Sequence, residues 1–104
     1  MPALIILTTA PNIDEAHSLA EGLVQAKLAA CAQVLPEMKS FYFWEGEIRK
    51  EPEYLLLIKT LPEKFEAIKV FILENHSYDV PEIVALKAQD VSESYLGWLT
   101  AYVT

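Results

Sequence analysis

The stretch from Ala30 to Trp44 constrains the fold of this chain more than any other. It reads as extended backbone on both sides of Pro36, which cannot donate a ladder hydrogen bond, so a bend or bulge is expected there. Residues 41 to 44 are Phe-Tyr-Phe-Trp. Because successive side chains on a strand point to opposite faces, aromatic rings occupy both faces of that strand and both need covering. Unbroken, the stretch would run about 50 Å at roughly 3.3 Å per residue. A compact chain of this length has a radius of gyration of about 13 Å and so a diameter of about 33 Å. The hairpin therefore either bends sharply at Pro36 or extends onto neighbouring subunits, and the uncovered apolar face favours the second. Burying several hundred Å² of such surface at ~25 cal/mol per Å² gives on the order of 10 kcal/mol before association entropy. Glu45-Gly46 closes the hairpin. Gly accepts positive φ at little cost and Glu does not, so a turn with Gly46 at its one left-handed position is expected in preference to a type I′ turn.

The remaining elements follow from periodicity. Leu4 to Leu7 is a solid apolar run ending in Thr8-Thr9 and Pro11, the pattern of a central strand buried on both faces. Asn12 with Glu15 resembles a capping box, and Ala16, Leu19, Leu23 and Leu28 recur at helical spacing, predicting a helix over 13–27. Glu53 to Thr60 contains the apolar run Tyr54-Leu55-Leu56-Leu57-Ile58. Pro62 and Glu63 open a second helix that ends at Asn75-His76, Ile83 to Ala88 is extended, and Ser92 caps a final helix. The order βαββαβα specifies an α+β, ferredoxin-like split βαβ fold. Its antiparallel sheet has strand order 4-1-3-2, both crossover helices lie on one face, and a long hairpin joins the second and third strands. The other sheet face is then bare, although its strands are apolar on both sides. The end of the first strand and the segment Tyr78 to Glu82 share one end of such a sheet, with Cys31 and Lys59 toward the other.

Charge narrows the partners. The 104 residues carry 8 Lys+Arg against 15 Asp+Glu, a formal charge of −7, the reverse of a nucleic-acid footprint. Neither nucleic acid nor an anionic membrane surface is expected as a partner. Cys31 is the one cysteine, which excludes an intrachain disulfide and suits a reducing compartment. The opening residues lack the charged and apolar regions of a signal peptide, so cytoplasmic residence is expected.

The run Leu28-Ala29-Ala30-Cys31, the hairpin Tyr42-Phe43-Trp44-Glu45-Gly46, the strand end Ile58-Lys59-Thr60, the segment His76-Ser77-Tyr78-Asp79-Val80-Pro81-Glu82-Ile83 and the terminal Tyr95-Leu96-Gly97-Trp98-Leu99 together resemble the CutA family of divalent-cation tolerance proteins. The resemblance extends over nearly the whole chain as one domain, residues 1–104. It implies a homotrimer related in topology to the PII signalling proteins, a cytoplasmic location, a non-enzymatic metal-response or signalling role, and copper or another divalent cation as the ligand. It also implies copper ligands at a Cys ending the first strand and at a pair of His. The matching residues here are Thr8, Asn75 and His76, so two of the three are replaced by poor Cu(I) donors.

His76 is the one metal candidate of this set, weighed against a helix-ending histidine that hydrogen-bonds nearby backbone. His17 reads as surface. Cys31 fits a small buried thiol in the core, and no Cys-His arrangement marks it as a nucleophile. Lys59 ends an apolar strand and needs a partner; Glu82 has the right chemistry but is reachable only across subunits. Tyr42, Trp44, Tyr78 and Trp98 either line an intersubunit cleft with Cys31, Lys59 and Glu82 or anchor the oligomer. The alternative function is a PII-like trimer that binds or transforms small molecules in such clefts. No phosphate loop or hydrolase signature is present.

Overall fold

In the computed structural model, which describes residues 3–103, the apolar run at the start of the chain forms β1 (Leu4–Ala10). Thr8, Thr9 and Ala10 continue the strand beyond the apolar run. Asn12 then starts α1 (Ile13–Gln25), its Oδ1 accepting the Glu15 N–H at 2.8 Å. The Glu15 carboxylate does not close a capping box; it accepts instead from the backbone N–H and hydroxyl of Ser77. The helix stops at Gln25, short of the expected 27, because Lys27 turns left-handed at φ 60°. Beyond it come β2 (Cys31–Val34), β3 (Met38–Trp44) and β4 (Glu47–Thr60). A single 3-10 turn at Pro62–Lys64 leads into α2 (Phe65–Asn75), followed by β5 (Val84–Lys87) and α3 (Glu93–Val103).

The long strand β4 organises the sheet. Its inner half pairs with β1 and β2, and its outer half pairs with β3, giving the order β2-β4-β1-β5. With β2 and β3 taken as one interrupted strand, this is the expected 4-1-3-2 order. Val34 pairs with Leu56 and Met38 with Glu53, so Leu35, Pro36 and Glu37 oppose only Tyr54 and Leu55. That is a bulge, placed where Pro36 removes a donor. The hairpin does not fold back: β4 runs 14 residues and the molecule is 45 Å long but only 25 × 24 Å across.

Glu45 (φ 50°) and Gly46 (φ 84°) both take positive φ between the paired Trp44 and Glu47. This is the type I′ pattern, contrary to the expectation of one left-handed position. A two-residue loop must match the right-handed twist of its strands, and that requirement overrides the preference of Glu.

The core lies on one face of the sheet, where Leu4, Ile6, Leu56 and Ile58 meet Ala16, Leu19 and Leu23 of α1 and Ile68 and Ile72 of α2. α3 packs separately at the end of the sheet, with Leu99 and Val103 against Ala3, Ala30 and Leu61. Neither α1 nor α2 covers the other face, and α3 approaches it at the Cys31–Lys59 end, through Tyr95. Ile5, Leu7, Leu55 and Leu57 are half-buried, and Val84 and Leu86 are exposed.

Candidate functional site

The outer end of β1, the bulged stretch of β4 and the loop after α2 converge at the base of the hairpin. His76 ends α2 in extended backbone, which swings its fully buried ring back over β1. Its Nε2 lies 2.6 Å from the Thr9 carbonyl and therefore carries the hydrogen, while Nδ1 accepts the Tyr78 N–H at 3.0 Å. These partners assign the neutral Nε2–H tautomer; the Glu15 carboxylate, 3.3 Å from Nδ1, gains an ion pair only if the ring protonates.

This clamp positions the Tyr78 ring, tilted 44° against His76 at 4.8 Å, over the cleft. The Tyr78 hydroxyl donates to Glu53 Oε2 at 2.8 Å, and Thr9 Oγ1 donates to the same oxygen at 3.3 Å. Glu53 is only 6% exposed. Burial and then the bond to Glu53 push the Tyr78 phenol well above its ordinary range. Partial desolvation of the otherwise exposed Glu82 side chain, followed by the neighbouring Glu53 carboxylate, raises its carboxyl.

Around these groups opens a cleft of about 600 Å³, lined by Thr9, Tyr42, Trp44, Arg49, Glu53, Tyr78 and Glu82 among others. Arg49 is tied at the turn, its Nη2 lying 3.5 Å from Glu45 and 3.4 Å from Glu47.

Four of the expected cleft residues thus meet within one chain: Tyr42, Trp44, Tyr78 and Glu82. Cys31, Lys59 and Trp98 lie elsewhere. Cys31 pairs in register with Lys59 on the open face, partly exposed rather than filling the core. Lys59 makes no ion pair among the described residues, and its Nζ lies 5.8 Å from the centre of the Tyr95 ring. Burial and then the adjacent Cys31 raise the Tyr95 phenol, and Tyr95 in turn packs against Trp98 at 5.5 Å. His17 is exposed on α1.

The donors matched to the copper site do not fit a copper ion as they stand. Both nitrogens of His76 are engaged, and the Asn75 amide donates to Phe71 O on its own helix at 2.8 Å. Thr8 offers only a buried hydroxyl, which has no hydrogen-bond partner among the described residues. Among the described residues no group of three or more His, Cys, Asp or Glu is arranged to hold a metal ion.

Glu53, Thr9, Glu15 and Arg49 escape a reading of the sequence as site residues. Glu53 carried one usable signal: a carboxylate opening an apolar run, at the parity of Leu55 and Leu57 on the open face.

Comparison with known proteins agrees with this architecture. The profile of the CutA1 divalent ion tolerance protein family matches residues 4–102. The Thermus thermophilus divalent-cation tolerance protein CutA is 40% identical over 95 residues, covering 91% of this chain and 92% of its own. A chloroplastic CutA of Arabidopsis thaliana is 40% identical over 99 residues, covering 95% of this chain but 54% of that protein, so the present chain spans about half of the plant relative. Among solved structures, CutA1 from Oryza sativa superposes with a TM-score of 0.97 at 36% identity, covering 100% of this chain and 95% of that one. A protein from Archaeoglobus fulgidus described as a periplasmic divalent cation tolerance protein superposes at 0.96 with 34% identity, covering 98% and 99%. A profile match across almost the whole chain, with the hairpin, the bulge and the Tyr78 loop all inside it, leaves one assignment: this chain belongs to the CutA1 divalent ion tolerance protein family.

Proposed function

We propose that the chain acts as a homotrimeric, non-enzymatic divalent-cation tolerance protein of the cytoplasm, a metal-response or signalling module. The hairpin carries this reading. It projects from a 45 Å molecule with Phe41, Phe43 and Ile48 between 64% and 70% exposed, beside an open sheet face that also exposes Val84 and Leu86. Apolar surface of this kind is what an obligate oligomer buries. A cytoplasmic site is supported by the free Cys31, and no helix among the described residues is long and apolar enough to cross a membrane. Light scattering at micromolar concentration is expected to give three times the 11.7 kDa chain mass. A mass of one chain would overturn the reading.

Copper, or another divalent cation, is the ligand class implied by kinship. The residues matched to its ligands do not fit such an ion and contribute scaffold instead, with His76 fixing the Tyr78 loop to β1. Calorimetry with Cu²⁺, and separately with Cu(I), on the wild type and on His76→Gln is accordingly expected to give equal heats. Heat lost in the variant would restore His76 as a ligand.

A further inference from the structure

Glu53 is buried, yet its hydrogen-bond donors among the described residues are the neutral hydroxyls of Thr9 and Tyr78, and no Lys, Arg or His among them forms an ion pair with Glu53 or Glu82. A carboxylate withdrawn from water is costly without an opposite charge, and a second one beside it adds repulsion. Arg49, the cation on the cleft wall, directs its Nη2 to Glu45 and Glu47 rather than to Glu53 or Glu82, and its buried Nε has no hydrogen-bond partner among the described residues. The same wall presents the rings of Tyr42, Trp44 and Tyr78. We propose that this cleft receives an alkylammonium group, with Glu53 and Glu82 as its charge partners and the rings of Tyr42, Trp44 and Tyr78 as its walls. Aromatic faces attract organic cations through their quadrupoles, whereas among the described residues no group of three or more His, Cys, Asp or Glu is arranged to hold a metal ion. A volume of about 600 Å³ is ample for a small amine.

Two sources supply that chemistry: a free amine, or a lysine of a second copy. Lys59 is the chain's own candidate for the latter, being without an ion pair among the described residues and lying on the open face that trimer formation would cover. Only this second source rests on the trimer proposed above.

The test is calorimetry of the full chain with n-butylammonium chloride, with n-butanol as the neutral control and light scattering on the same samples. Wild type, Glu53→Gln, Glu82→Gln, Lys59→Met and the double variant Lys59→Met/Glu53→Gln are compared. A free-amine site binds butylammonium in the wild type and ignores butanol, with affinity falling about tenfold or more in each Gln variant. A site filled by a neighbour's lysine is silent in the wild type, binds butylammonium in Lys59→Met, and is silent again in the double variant. Since Glu82 is exposed, its variant reports the charge loss without disturbing the buried network. Butylammonium binding in neither the wild type nor Lys59→Met, binding indifferent to both Gln changes, or equal binding of butanol would overturn the proposal. A one-chain mass in scattering would remove the trimer while leaving the free-amine result intact.

Discussion

Tyr78 serves two structures at once. Its backbone N–H completes the His76 clamp, and its hydroxyl satisfies a buried carboxylate. Since the folded protein holds the phenol protonated beyond its ordinary value of about 10, the stabilisation is fully present below that pH and is lost as pH rises toward the folded value. Tyr78→Phe leaves Glu53 with one hydroxyl donor and is expected to cost about 1–2 kcal/mol at pH 7 in urea unfolding. Between pH 10 and 11 the wild type should lose stability more steeply than the variant. Parallel losses in the two proteins would show that the phenol proton is not held by the fold. The variant keeps some alkaline slope of its own, because the Tyr54 and Tyr95 phenols are also raised and remain in both proteins. His76 illustrates how far residue identity alone reaches. A histidine at a helix end has two readings, metal ligand or backbone clamp, and the clamp became visible only with Thr9 brought within 2.6 Å across 67 positions of sequence.

At the scale of elements, the hairpin separates what local chemistry dictates from what tertiary geometry imposes. Pro36 lacks a donor wherever it sits, so the bulge opposite Tyr54 and Leu55 was legible. The turn was not, because the left-handed backbone of Glu45 answers to strand twist rather than to its own preference. Glu45→Asn should therefore stabilise the protein by about 0.5–1 kcal/mol, Asn being far more tolerant of that conformation. The ion pair it forfeits with Arg49 spans 3.5 Å at the surface, where such pairs contribute little. A rise in the denaturant midpoint at constant slope is the expected result; a fall would mean that the Arg49 contact outweighs the backbone strain. The cleft was half legible for a related reason. Its aromatic wall stands out as consecutive rings in the sequence, but Glu53 is recruited by pairing between elements, through a hydroxyl from the end of β1 and another from the loop after α2.

For the whole molecule, the two faces of the hairpin have separate duties. Tyr42, Trp44 and Arg49 line the cleft, while Phe43 and its cross-strand partner Ile48, each 70% exposed, stand out of the core altogether. If the single chain were the working unit, replacing that pair by polar residues would alter stability by no more than about 0.5 kcal/mol, as at any exposed position. In a trimer each side chain leaves water at the interface, worth about 1.5–3 kcal/mol apiece per subunit. The double variant Phe43→Ser/Ile48→Thr is therefore expected to weaken association at least about a hundredfold, at ~1.4 kcal/mol per decade. Because neither side chain belongs to the core beneath α1 and α2, the dissociated chain should keep its fold. The expected observation is a native circular dichroism spectrum together with a light-scattering mass that falls toward one chain on dilution, where the wild type holds at three. An unchanged mass would transfer the weight of assembly to the open sheet face around Val84 and Leu86. A collapsed spectrum would mean that the hairpin supports its own subunit, which its exposure argues against.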